Sequence, residues 1–154
     1  MKRVKSRSAP WHLWLIGGAS LLFHSLAVFD YVATLTRGED YMRASGMTDA
    51  QISYFTSLPP LAILAWTVSV WAGLLGSMAL LMRQWPAAGL FLLATAGTAG
   101  YVVWTVLLSS GVEAMGMIWF MPLLVGAATL ALADYARRMS PFQSSISPLE
   151  SGPA

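Results

Sequence analysis

Four long apolar stretches separated by short polar segments dominate the pattern along the chain. They cover residues 11–36, 59–82, 87–108 and 115–135. Each has the roughly 20 apolar residues that a helix needs to cross a bilayer. The pattern predicts an all-α protein, a four-helix transmembrane bundle that forms a single membrane domain over residues 1–139. The serine- and proline-containing segment 140–154 lacks any apolar period and is predicted to be a mobile cytoplasmic tail.

The first stretch follows a basic segment, so a cleaved signal peptide is an alternative, with Ser25 and Ala27 as the small residues of a cleavage site. The apolar residues continue well past Ala27, to Leu35. Because this is long for a signal peptide, we interpret the stretch as a retained first helix. In the fourth stretch, Pro122 removes one helical hydrogen bond and is expected to kink the helix.

The single long connection spans residues 37–57. Within it, Thr48 and Gln51 have the spacing of a capping box, in which each side chain satisfies a first-turn N–H group. Apolar residues follow at helical spacing. We expect a short helix from about Asp49 to Ser57 that lies on the membrane surface, and a lid over an opening on that side is the functional alternative.

The few charges support a membrane protein and orient it. Charged residues make up 10% of the chain and hydrophobic residues 56%, whereas soluble domains average about 25% charged residues. Seven of the nine basic residues fall on one side of the predicted bundle: Lys2, Arg3, Lys5, Arg7, Arg83, Arg137 and Arg138. Because basic segments stay in the cytoplasm, both termini are predicted to be cytoplasmic, in a bacterial inner membrane. The basic residues act as a topology signal, so we expect the lipid bilayer and no nucleic acid as a partner.

The residue inventory excludes most kinds of catalytic and metal chemistry. The chain has no cysteine and two histidines, and His12 and His24 lie ~18 Å apart along one helix. We therefore expect no metal site and no cofactor, although axial ligation of a haem or chlorophyll by His24 alone stays open as an alternative. No nucleophile–base pair or carboxylate pair can be assembled, which indicates that the protein is not an enzyme.

Small and polar residues concentrate on one face of each predicted span, as close helix packing in a bilayer requires. On the first helix this face collects Gly17, Ser20, His24, Ala27, Asp30, Tyr31 and Thr34. Packing alone explains most of these residues. For His24, a hydrogen bond to a serine or threonine of another helix is the ordinary interpretation.

Asp30 is the one acidic residue well inside a predicted span. A charged side chain at the centre of a span costs ~2.5–3.5 kcal/mol, so such residues normally face the bundle interior or a water-filled cavity. An interfacial carboxylate, or one hydrogen-bonded to tyrosine or tryptophan, is the alternative. The candidate proton or solute site comprises Asp30, His24, Ser20, Tyr31, Thr34, Trp66 and Tyr101.

Several short blocks resemble one protein family. They include Phe29-Asp30-Tyr31 in the first helix, Trp71 with Gly76-Ser77 in the second, and Met121-Pro122-Leu123 in the fourth. Together they resemble a family of small four-span proteobacterial inner-membrane proteins that are commonly labelled sugar transporters. The resemblance covers roughly residues 11–139 and implies a sugar-like solute. The chain departs from the family pattern at Phe23-His24, where the family has Trp-Asn.

Two functions follow as hypotheses. The first is a small-solute transporter that works as a homo-oligomer, because four helices rarely enclose a polar pathway by themselves. In it, Asp30 takes the proton or solute, and Trp66 and Tyr101 offer stacking surfaces. The second is a non-enzymatic accessory or assembly subunit of a larger membrane complex.

Overall fold

A computed structural model describes residues 10–139 of the chain, and all regular secondary structure in this range is helical. The helices are α1 (Trp11–Arg37), α2 (Glu39–Ala44), α3 (Asp49–Thr56), α4 (Pro60–Leu81), α5 (Ala87–Val103), α6 (Gly111–Met115) and α7 (Met121–Met139). A π-helical turn, Trp104–Leu108, continues α5, and a 3₁₀ turn, Gly116–Ile118, follows α6. The basic residues at positions 2–7 and the predicted tail 140–154 lie outside the described residues.

Local signals explain where the helices begin. Pro60 occupies the first turn of α4, where proline lacks only a donor that would be unpaired in any case. The capping box of α3 is present: Thr48 Oγ1 accepts from the N–H of Gln51, and Gln51 Oε1 accepts from the N–H of Thr48. The connection also contains α2, a second short helix that the sequence analysis did not predict.

Three helical segments are long and apolar enough to cross a membrane: Trp11–Arg37, Pro60–Leu81 and Ala87–Leu108. A fourth candidate exists only if Gly111–Ile118 and Met121–Met139 are taken together, and these two segments are bent by 74°. The outward faces are rich in large apolar side chains, such as Leu22, which is 64% exposed. This composition is compatible with a membrane protein.

The fourth predicted span, residues 115–135 with a kink at Pro122, is a bent pair of helical segments in the structure. The chain turns at Gly116, whose φ of +57° suits glycine, and the long helix begins at Met121. Pro122 therefore lies in the first turn of α7 rather than in its interior. A proline in that position breaks no established hydrogen bond. The 74° bend therefore lies at the break before Met121, and not within a helix at Pro122 as predicted.

The long helices pack in the order α1, α4, α5, α7. The approach of α5 to α4 is closest at Gly97, where an added Cβ would lie 2.7 Å from the carbonyl oxygen of Ala65. Among the described residues, the closely packed pairs of long helices are α1 with α4, α4 with α5, and α5 with α7, and α1 does not pack closely on α7. A gap therefore remains between the first and the last long helix. The short helices α2, α3 and α6 lie together at one end, called the loop end below.

Candidate functional site

A cavity of about 280 Å³ lies near the loop end between the long helices. Side chains from α1, α4, α5 and α7 form its walls, and Phe55 of α3 and Met115 of α6 contribute at the loop end. Its polar or aromatic lining residues include Asp30, His24, Trp66, Ser69, Thr98 and Tyr101. Most of the remaining lining is aliphatic or aromatic, so the cavity is an apolar space with few polar groups.

Asp30 is the carboxylate of this cavity. It is partly buried on α1, and Tyr41 of α2 donates a hydrogen bond to its Oδ1 atom over 2.8 Å. This hydrogen bond to a carboxylate raises the pKa of the Tyr41 phenol above its ordinary value, because ionising the phenol would remove the donor and add a second negative charge. No arginine or lysine among residues 10–139 lies within ion-pair distance of Asp30. The carboxylate is therefore available to a positively charged or hydrogen-bond-donating partner.

Trp66, which lines the same cavity as Asp30, lies at the centre of an aromatic cluster. Its ring is 5.0 Å from that of Tyr31 in an edge-to-face arrangement, 5.8 Å from Phe55 and 6.2 Å from Tyr101, measured between centroids. These separations fall in the range of favourable aromatic pairs. Trp66, Phe55 and Tyr101 line the cavity, and Tyr31 packs behind Trp66. The cluster gives one side of the cavity a set of π faces and edges.

His24 is 3% exposed and is held at the contact between α1 and α4. Its Nδ1 atom lies 2.8 Å from the carbonyl oxygen of Ser20, which can only accept, so Nδ1 donates. The same atom is 3.1 Å from Ser77 Oγ of α4. This matches the ordinary interpretation of His24 as a histidine bonded to a hydroxyl of another helix.

The other edge of the imidazole packs on the backbone of α4. Nε2 is buried without a hydrogen-bond partner among the described residues. A Cβ added to Gly73 would overlap Cδ2 and Nε2 of His24. A metal bound at Nε2 would occupy the same space. The geometry therefore does not fit axial ligation of a haem or chlorophyll.

Hydroxyl pairs connect the helices around the cavity in a repeated way. Thr98 donates to the carbonyl of Ala94 one turn earlier, and its oxygen lies 2.6 Å from Ser69 Oγ of α4. Because the single proton of Thr98 is already used, Ser69 is the donor of this bond. Tyr31 reaches Thr67 across 2.6 Å in the same manner. Such hydroxyls are satisfied by the protein itself, so they contribute polarity to the cavity but few free hydrogen-bonding groups.

The structure separates the seven predicted site residues into two groups. Four of them line the cavity: Asp30, His24, Trp66 and Tyr101. The other three do not: Ser20 bonds to Ser77 over 2.7 Å, Tyr31 bonds to Thr67, and Thr34 is buried with its hydroxyl unpartnered among the described residues. Helical phase contributes to the division. Ser20 and Tyr31 bond to hydroxyls of α4, and Ser20 also lines the groove between α1 and α7 described below.

Several contributors were not predicted. Tyr41 lies eleven residues after Asp30 and reaches it because the chain turns at Gly38. Phe55 and Met115 come from the two short helices, and Ser69 and Thr98 face each other across α4 and α5. The only available sequence signal for Tyr41 was the general tendency of intramembrane carboxylates to have a tyrosine partner, which named no residue.

A second, larger groove of about 590 Å³ runs along the gap between α1 and α7. Phe23 and His24 line both spaces, so the groove and the cavity adjoin. At the end opposite the loop end, His12 Nδ1 and Tyr135 Oη lie 2.6 Å apart and bridge the two helices. Within residues 10–139, no three side chains of the metal-binding types lie together.

No protein-family model, curated protein or solved structure matches the chain. The resemblance to small four-span membrane proteins labelled sugar transporters therefore stays an expectation from the sequence. Any functional conclusion depends on the geometry of the cavity.

Proposed function

We propose that the protein is a four-span membrane protein that binds a small solute in the cavity beside Asp30 and transports it as a homo-oligomer. The observation that carries this proposal is the cavity itself. It joins the carboxylate of Asp30 to aromatic side chains from three other helices. Intramembrane ionisable residues usually mark substrate or ion pathways.

In this proposal the bent pair of α6 and α7 forms the fourth span, and α3 lies at the membrane surface. Arg83, Arg137 and Arg138 follow or end helices at the pole opposite the loop end. By the positive-inside rule, these arginines support a cytoplasmic location for that pole, as do the basic residues at positions 2–7 of the sequence, which precede α1. The loop end and the mouth nearest Asp30 then face the other side of a bacterial inner membrane.

In the proposed oligomer, a second copy covers the side of the cavity that a single chain leaves open. The row of four long helices leaves the gap between α1 and α7 incompletely filled, and Phe23 and Met121 beside the cavity are about half exposed. A second copy packed against this side would separate the cavity from lipid. A pathway for the solute would then run between subunits.

The test blocks the cavity without altering its carboxylate. Ala27 lines the cavity from α1, so Ala27→Trp fills it, and Ala99→Trp on the exposed face of α5 is the matched control. Proteoliposomes containing each protein are incubated with a mixture of sugars, amino acids and organic amines, and retained solutes are identified by mass spectrometry. We expect at least one solute to be retained by the unmodified protein and by Ala99→Trp, and to be lost with Ala27→Trp. Equal retention by all three, or none above protein-free liposomes, would contradict the proposal.

A second candidate, an accessory or assembly subunit, is favoured by the exposed surface of α7. Ala127, Ala128 and Ala131 are exposed there, beside the groove against α1. Small residues allow close approach of another helix in a bilayer. Purification in mild detergent followed by intact-complex mass spectrometry separates the two candidates. Other subunits in stoichiometric amount support the accessory role, and an oligomer of this chain alone supports transport.

A further inference from the structure

The cavity restricts the chemical class of the solute, and this inference rests on the proposed function. Among the described lining residues, the acidic and basic side chains are Asp30 and His24. The imidazole of His24 is already engaged with Ser20 and packed on Gly73. Asp30 has one donor, Tyr41, and no basic partner among residues 10–139. The electrostatics of the cavity therefore favour a cation near Asp30.

The aromatic cluster also favours a cation, independently of the carboxylate. Trp66, Tyr101 and Phe55 line the cavity on the α3, α4 and α5 side. Aromatic faces attract ammonium groups through the ring quadrupole, most strongly for tryptophan and more so where water is excluded. A cation placed between Asp30 and Trp66 would be attracted by both groups.

The rest of the lining disfavours a polyhydroxylated solute. A sugar carries several hydroxyls, and each needs a partner once it leaves water. The Ser69 and Thr98 hydroxyls bond to each other and to the carbonyl of Ala94. Apolar side chains form other parts of the wall: Val70 of α4, and Met121, Pro122 and Val125 of α7. Such walls suit a hydrocarbon body.

The size of the cavity limits that body. An apolar cavity of about 150 Å³ is enough to hold benzene, and this one is about 280 Å³. One aromatic ring with a short side chain would fill it, whereas a large multicyclic cation would not fit.

We propose that the cavity binds a small hydrophobic amine, with its ammonium group between Asp30 and Trp66 and its apolar body against the apolar side chains of α7. The sugar-like solute expected from the family resemblance is the competing class.

Binding of three probes to the full-length protein in mild detergent tests the ligand class. The probes are 2-phenylethylamine, its neutral analogue 2-phenylethanol, and glucose, each titrated by calorimetry at neutral pH. We expect the amine to bind roughly tenfold or more tightly than the alcohol, because the neutral hydroxyl of the alcohol cannot replace the ammonium–carboxylate ion pair. Asp30→Asn should remove this preference and leave binding of the alcohol unchanged. Asp40→Asn, an exposed acid of α2, should retain the preference.

These measurements distinguish failure of the proposed ligand class from failure of the proposed solute-binding function. Asparagine keeps a carbonyl oxygen as an acceptor for Tyr41, and unchanged binding of 2-phenylethanol reports an intact cavity. If the amine binds no more tightly than the alcohol, or if Asp30→Asn keeps the preference, the amine class is overturned. Binding of glucose that is abolished by Ala27→Trp, without binding of the amine, would overturn the ligand class and leave the solute-binding function standing. Absence of binding by all three probes would count against both.

Discussion

The contact between α4 and α5 at Gly97 gives the sharpest test of the packing. A Cβ at position 97 would lie 2.7 Å from Ala65 O, 2.7 Å from Ser69 N and 3.1 Å from Ser69 Cα. All three are backbone atoms, so no side-chain rotation can relieve the overlap. Restoring an ordinary separation of 3.4 Å requires the two helices to move apart by about 0.7 Å.

The same movement of the helices would lengthen the neighbouring hydrogen bond between Ser69 and Thr98. The bond between Ser69 Oγ and Thr98 Oγ1 is 2.6 Å, and a 0.7 Å separation would lengthen it beyond the usual range for O–H···O bonds. Overpacking costs about 1–3 kcal/mol, and a lost buried hydrogen bond about 1 kcal/mol. Alanine regains up to about 1 kcal/mol of helix propensity. We expect Gly97→Ala to lower the free energy of unfolding by about 1–3 kcal/mol.

Gly89→Ala is the matched control, because it makes the same substitution in the same helix. A Cβ there meets no atom within 4 Å, so the variant should be neutral or slightly stabilised. Unfolding in mixed micelles of a mild detergent and dodecyl sulfate, followed by circular dichroism, measures both free energies. Since intrinsic helix propensity largely cancels between the two variants, equal stabilities would refute the close approach of α4 and α5 at Gly97.

Three further outcomes are expected. In the same assay, Gly73→Ala should lower the free energy of unfolding by about 1–3 kcal/mol. In a His24→Ala background, the same glycine substitution should cost much less. Additive effects of the two substitutions would contradict the contact between these residues. Ser77→Ala should cost about 1–2 kcal/mol, since its fully buried hydroxyl connects α4 to α1; a neutral result would count against this hydrogen-bond network. The raised pKa of Tyr41 should fall toward its ordinary value in Asp30→Asn, measured by isotope-edited NMR of tyrosine across an alkaline titration; an unchanged pKa would show that their hydrogen bond is absent.

Periodicity in the sequence was sufficient to identify most inward-facing residues. On α1, Gly17, Ser20, His24, Tyr31 and Thr34 are all buried, as the small and polar face predicted. This succeeds because a continuous helix rotates each successive side chain by a constant angle, so sequence spacing alone determines which residues share a face.

Irregular segments were predicted less well, because their geometry depends on single residues whose effect is ambiguous in sequence. Gly116 could have been an ordinary small residue of a fourth helix, and in the structure its positive φ ends the turn of α6. Pro122 could have kinked a helix interior, and it lies instead in a first turn. Local pattern gives no means of choosing between these conformations.

The sequence by itself determined the helical class, the extent of the three long apolar helices, the capping box of α3 and the exceptional position of Asp30. Tertiary structure alone decided what surrounds that carboxylate. Tyr41 reaches it across the turn at Gly38, and Phe55 and Met115 approach from separate short helices. The cavity exists because α5 packs closely on both α4 and α7 while α1 and α7 remain apart. Those separations depend on how all the helices pack together, and no single helix encodes them.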